Sequence, residues 1–97
     1  MRPSTALEKH KDAIKEIVEK YHAKNARLFG STLRGEDKEG SDVDILVDPT
    51  DLTTLSDIGG IQEELSDLLG VHVDVLTPGA LPKAWKAEVL KAARPIP

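Results

Sequence analysis

Two short segments constrain this chain most: SDVDILVD at residues 41–48 and VHVDVLTP at 71–78. In the first, Val43, Ile45 and Val47 alternate with Asp42, Asp44 and Leu46; Val71 to Leu76 alternates in the same way. A period of two is the mark of a strand with one buried face. Between them, Leu55, Ile58, Ile61, Leu65, Leu68 and Leu69 recur at helical spacing over Leu52 to Leu69, and Gly70 closes the run. Neighbouring strands joined through a helix run parallel, because only a crossover returns the chain in the same direction. Asp44-Ile45-Leu46-Val47 can be laid over Asp74-Val75-Leu76-Thr77. This alignment predicts Asp74 beside Asp42 and Asp44 on one face of the sheet.

The remaining segments fit around that unit. Thr5-Ala6-Leu7-Glu8 has the form of a capping box, with Thr5 as the cap. Leu7, Ile14, Ile17, Val18 and Tyr21 then predict a first helix to about residue 23. Ala26 to Phe29 suits a short buried strand ending at Gly30. Gly35 to Gly40 reads as a polar loop, and Pro49 as the stop of the second strand. Gly59-Gly60 weakens the middle helix. Pro78-Gly79 is a turn, Ala80 to Ala93 a last helix with Pro82 in its first turn, and Pro95-Ile96-Pro97 a short extended edge. The order α-β-β-α-β-α predicts an α/β (α+β) fold: a small mixed β-sheet packed against helices.

Composition narrows the chemistry. The chain has 97 residues, which predicts a single domain over 1–97. It contains no cysteine, so a metal would be held by oxygen or imidazole. The formal net charge of −4 argues against a dedicated DNA binder, and Phe29, Tyr21 and Trp85 are too few aromatics for a single-strand stacking platform. No apolar run reaches membrane-spanning length and the N-terminus lacks a signal-peptide core, so the expected compartment is the cytoplasm.

Aspartate is poorly suited to strands, and like charges on one face repel. On a strand, residues i and i+2 lie roughly 7 Å apart on the same side. Asp42, Asp44 and Asp74 thus form a candidate cluster that hard cations with oxygen ligands, Mg²⁺ above all, would neutralise. Two such ions about 3.5–4 Å apart can clamp the attacking and leaving oxygens of a phosphoryl transfer. Upstream, Gly30-Ser31 follows a strand; backbone N–H groups there and the Ser31 hydroxyl can receive phosphate oxygens, and Arg34 can add a charged contact. Taken singly, each feature has an ordinary reading as a turn, a solvated strand end or a surface residue. Together they fall in the order one site requires.

Elsewhere, His72 shares the alternation of Asp74, with simple hydrogen bonding as the ordinary expectation. His10 and His22 read as surface residues, and Lys83, Lys86 and Lys91 as a solvated helix face. Trp85, with Leu81, Val89 and Leu90, is expected to pack in the core, a partner surface being the alternative.

The phrase LFGSTLRGEDKEGSDVDILV at residues 28–47, followed by the distant Asp74, resembles the signature of the nucleotidyltransferase superfamily that includes DNA polymerase beta. The matching positions are Gly30-Ser31, Arg34-Gly35, Ser41-Asp42-Val43-Asp44 and Asp74. Length and phrasing are most similar to the minimal nucleotidyltransferases, antitoxins of HEPN/MNT toxin–antitoxin pairs. The resemblance implies the polymerase beta-like fold and metal-dependent transfer of a nucleoside monophosphate, AMP from ATP, to a hydroxyl. Its implied acceptor is a tyrosine of a partner HEPN toxin. It further implies that Gly30 and Ser31 hold the triphosphate, that Asp42 and Asp44 bind two Mg²⁺ ions, and that Asp74 completes one metal site and helps activate the acceptor. Two other readings are an idle antitoxin that acts by binding alone and an enzyme modifying a small hydroxylated molecule.

Overall fold

The computed structural model describes residues 3–30 and 42–96. Its elements are α1 (Pro3–Lys9), α2 (Lys11–Lys20), β1 (Ala23–Phe29), β2 (Val43–Pro49), α3 (Leu55–Leu69), β3 (Val73–Leu76), α4 (Lys83–Ala92) and β4 (Arg94–Pro95), with one 3₁₀ turn at Pro78–Ala80. The four strands form one mixed sheet in the order β3-β2-β1-β4. β1 pairs antiparallel with β2 and β4, whereas β2 and β3 run parallel, as the helical crossover demands.

Alternation along the strands separates two cores. Val43, Ile45 and Val47 of β2 and Val73 and Val75 of β3 join Leu7, Ile14, Val18, Ile61 and Leu65 in the main core, with helices α1–α3 on that face. On the other face Leu46 is fully buried beneath Leu81 and Ala93, with Phe29, Leu76 and Val89 around them. No residue of α4 itself is buried; the deeply placed Leu81 and Ala93 flank the helix at its two ends.

Several element ends differ from the sequence expectation. The first helix is two, divided at His10, whose carbonyl accepts the Ile14 N–H at 2.9 Å and so starts α2. Thr5 lies inside α1 and is not its cap; Pro3, with its φ already suited to a first helical position, begins the helix earlier. The capping box sits instead at α3. The Thr54 hydroxyl accepts the Asp57 N–H at 3.1 Å, and an Asp57 carboxylate oxygen accepts the Thr54 N–H at 2.9 Å. That moves the start of α3 from Leu52 to Leu55.

Pro49 ends β2 as its last residue, and β1 extends back to Ala23 through an irregularity that carries Asn25 at φ 53°. Gly60 does not break α3: the Tyr21 ring lies against it, where a Cβ would overlap the ring. The edge strand β3 is tied to α3 by side chains. Gln62 accepts the Val75 N–H and Ser66 the Val73 N–H, each at 3.1 Å.

Candidate active site

The parallel pair sets Asp44 of β2 directly opposite Asp74 of β3. Both point to the face away from the main core, because Val43, Ile45, Val73 and Val75 occupy the other. Asp42 immediately precedes β2 and is exposed. Burial pushes the Asp44 carboxyl above the usual carboxylate range, the charges of Asp74 and Asp42 push it further, and His72 opposes them. Like charges therefore do gather here.

Gly30 closes the arrangement from β1. It has φ +78°, in the left-handed region, and a Cβ on it would stand 2.6 Å from Oδ2 of Asp44. Only glycine fits both its backbone and the neighbouring carboxylate. Pairing of Phe29 with Asp44 across β1 and β2 fixes that approach. Ser31 and Arg34 lie outside the described residues.

Asp74 has a second partner. His72 Nε2 and Asp74 Oδ1 are 2.8 Å apart, with both side chains about half exposed at 54% and 47%, so His72 is a hydrogen-bonded residue at the site margin. Among the described residues no three His, Cys, Asp or Glu side chains converge tightly enough to form a ready ligand cage. Asp44 and Asp74 are side by side, and Asp42 is near enough for its charge to act on Asp44. Their donor set, hard oxygen without thiolate, suits Mg²⁺.

Beside Asp44 opens a cleft of about 750 Å³. Phe29, Gly30 and Asp44 line its sheet side, and Trp85, Glu88 and Val89 of α4 its other wall. Trp85 is 60% exposed, which corrects the expectation of core packing. Its four-residue step to Val89 suggested burial, but α4 is moored at its ends, over Leu46, and does not bed Trp85 into the sheet.

The mixed sheet thus carries two facing aspartates with a glycine turn pressed against one of them, the arrangement that the resemblance to nucleotidyltransferases implies. The nucleotidyltransferase domain family matches residues 7–96. A candidate protein adenylyltransferase of Methanocaldococcus jannaschii is 43% identical over 75 residues, covering 77% of this chain and 74% of that protein. The protein adenylyltransferase MntA of Thermococcus cleftensis is 39% identical over 77 residues, covering 79% and 78%.

Among solved structures, a candidate minimal nucleotidyltransferase superposes with a TM-score of 0.85 at 35% identity, covering 98% of this chain and 96% of that one. A toxin–antitoxin structure with AMP-PNP shares the fold, with a TM-score of 0.74 at 19% identity over 89% of this chain and 71% of that one. The chain belongs to the nucleotidyltransferase domain family, and its minimal nucleotidyltransferase fold is the one the sequence resemblance implied. No helix among the described residues is long and apolar enough to cross a membrane.

Proposed function

We propose that this 97-residue chain acts as one nucleotidyltransferase domain that moves AMP from ATP to a tyrosine hydroxyl of a partner HEPN toxin, in the cytoplasm, and so serves as its antitoxin. The observation that supports this reading best is the register of β2 and β3, which sets Asp44 against Asp74 on an open face with Gly30 at its side. Protein adenylyltransferases of similar sequence support the donor and the class of acceptor. In this reading Gly30, Ser31 and Arg34 receive the triphosphate, while Asp42, Asp44 and Asp74 hold Mg²⁺. When bound, Mg²⁺ supplies charge stabilisation for the phosphoryl oxygens. The acceptor oxygen bonds to the α-phosphorus as the bond to the pyrophosphate oxygen breaks. Asp74, beside the acceptor, takes up the hydroxyl proton; its contact with His72 orients the carboxylate.

The test is incubation of the full chain with ATP, Mg²⁺ and a candidate HEPN protein, followed by intact mass of the partner. The expected result is one or more additions of about 329 Da on a partner tyrosine, and none with Asp44→Asn. A partner that is inhibited equally by wild type and Asp44→Asn, with its mass unchanged, would overturn the enzymatic reading in favour of inhibition by binding alone.

A further inference from the structure

We infer that Trp85 is the platform on which the nucleotide base stacks, a positioning residue for the donor in the cleft under α4. The inference rests on the proposed function, which puts a nucleoside triphosphate at Gly30. The cleft that Trp85 lines also contains Gly30 and Asp44 and does not include Asp74. It therefore adjoins the phosphate and metal end of the proposed site. At about 750 Å³ it falls within the range of roughly 300–1,000 Å³ of small-molecule sites.

The cleft offers both kinds of surface a nucleotide needs. On the sheet side the Asp44 carboxylate and the Gly30 turn stand beside Phe29. The α4 side presents the indole of Trp85 and Val89 together with the charged Glu88, Lys91 and Arg94. A flat aromatic π-face is the surface a purine or pyrimidine stacks on, with little demand on its edge groups.

The helix that carries Trp85 is lightly packed. α4 is ten residues long and buries none of them, whereas isolated helices of that length are marginal in water. At 60% exposure the indole leaves much of its apolar surface in water. A base seated against Trp85 covers that surface from the cleft and adds packing beneath the helix. Glu88, one turn along on the same wall, borders the edge of a base in that position. A residue here sets donor affinity without touching the transferred phosphoryl.

Trp85 is the single tryptophan of the chain, which makes it its own reporter. The experiment titrates the full chain with AMP-PNP and Mg²⁺, following indole emission and, in parallel, calorimetry. Inorganic tripolyphosphate serves as a ligand without a base, and Trp85→Ala and Trp85→Phe are measured beside wild type. The expected result is that AMP-PNP changes the indole emission and tripolyphosphate does not. Trp85→Ala should weaken AMP-PNP about five- to 150-fold, the loss of one stacked base, with tripolyphosphate affinity unchanged. Trp85→Phe should keep most of the AMP-PNP affinity.

Calorimetric binding of AMP-PNP without a change in emission, or equal AMP-PNP affinity in Trp85→Ala, overturns the assignment of Trp85 and leaves the proposed function standing. An equal loss of both ligands in Trp85→Ala also overturns it, since the residue would then not be reading the base. Absence of AMP-PNP binding by wild type overturns the proposed function itself.

Discussion

Replacing Asp44 by asparagine removes one of two carboxylates that face each other across β2 and β3. The Asp44 carboxyl is held above the usual carboxylate range by burial first and by Asp74 and Asp42 next, so the fold disfavours its ionised form. Stability falls as pH rises through the raised folded-state value. The penalty disappears below the unfolded value, about 3.9, where the group is protonated in both states. Asp44→Asn is therefore expected to raise the metal-free Tm at pH 7 by a few degrees, with the gap closing as pH approaches 3.5. Added Mg²⁺ should raise the Tm of wild type and leave Asp44→Asn nearly unmoved. A lower Tm for the variant at pH 7 would contradict the electrostatic account. Gly30→Ala has the opposite sign: it places a side chain in the left-handed region and 2.6 Å from an Asp44 oxygen. It should cost about 1 kcal/mol or more in urea unfolding and weaken AMP-PNP binding in calorimetry. The strand aspartates were legible because a period of two leaves no doubt about which residues share a face. The place of Trp85 was not, since helical spacing says which side chains align and nothing of what lies beneath them.

Adjacent glycines on α3 give the sharpest test at the scale of an element. Gly59 has open space where a Cβ would go, whereas Gly60 is the flat seat of the Tyr21 ring. Gly59→Ala should stabilise by about 0.5–1 kcal/mol through helix propensity and a less flexible unfolded chain. Gly60→Ala has the same propensity gain but must displace Tyr21, whose hydroxyl donates to Glu64 on the same helix, so it should destabilise. Urea midpoints of the two variants decide it; a shared sign would mean that the ring does not constrain Gly60. Both glycines look alike in sequence, because their difference comes from a residue some forty positions away. The caps illustrate the same limit. Thr5-x-x-Glu8 and Thr54-x-x-Asp57 each match the capping pattern, yet only Thr54 follows a turn, anchored by its neighbour Thr53 to the His22 carbonyl, that leaves its hydroxyl free to cap. By contrast, α3 and the strands it joins were legible in type, because their periodicities are long and unmixed.

At the scale of the whole molecule the two faces of the sheet are unequally covered. Helices α1–α3 enclose a core of fully buried aliphatics, whereas α4 rests on the far smaller group around Leu46, Leu81 and Ala93. Local opening is governed by such packing. Amides of α4 are therefore expected to exchange at least about tenfold faster than those in the centre of α3, as read by hydrogen-exchange mass spectrometry; equal protection would show that α4 is as firmly held as the core. A small mixed sheet packed against helices was legible, but which helix covers which face was not, nor was the light attachment of α4, because its anchors, Leu81 and Ala93, fall just beyond its ends. The parallel pairing of β2 with β3 also imposes an order in time. A chain leaving the ribosome has completed the phrase from Gly30 to Val47 while the facing carboxylate is still about thirty codons away. Until α3 has formed and turned β3 back beside β2, Asp44 has no counterpart. Every product of interrupted synthesis before that point would carry the phrase from Gly30 to Val47 without the carboxylate that faces it.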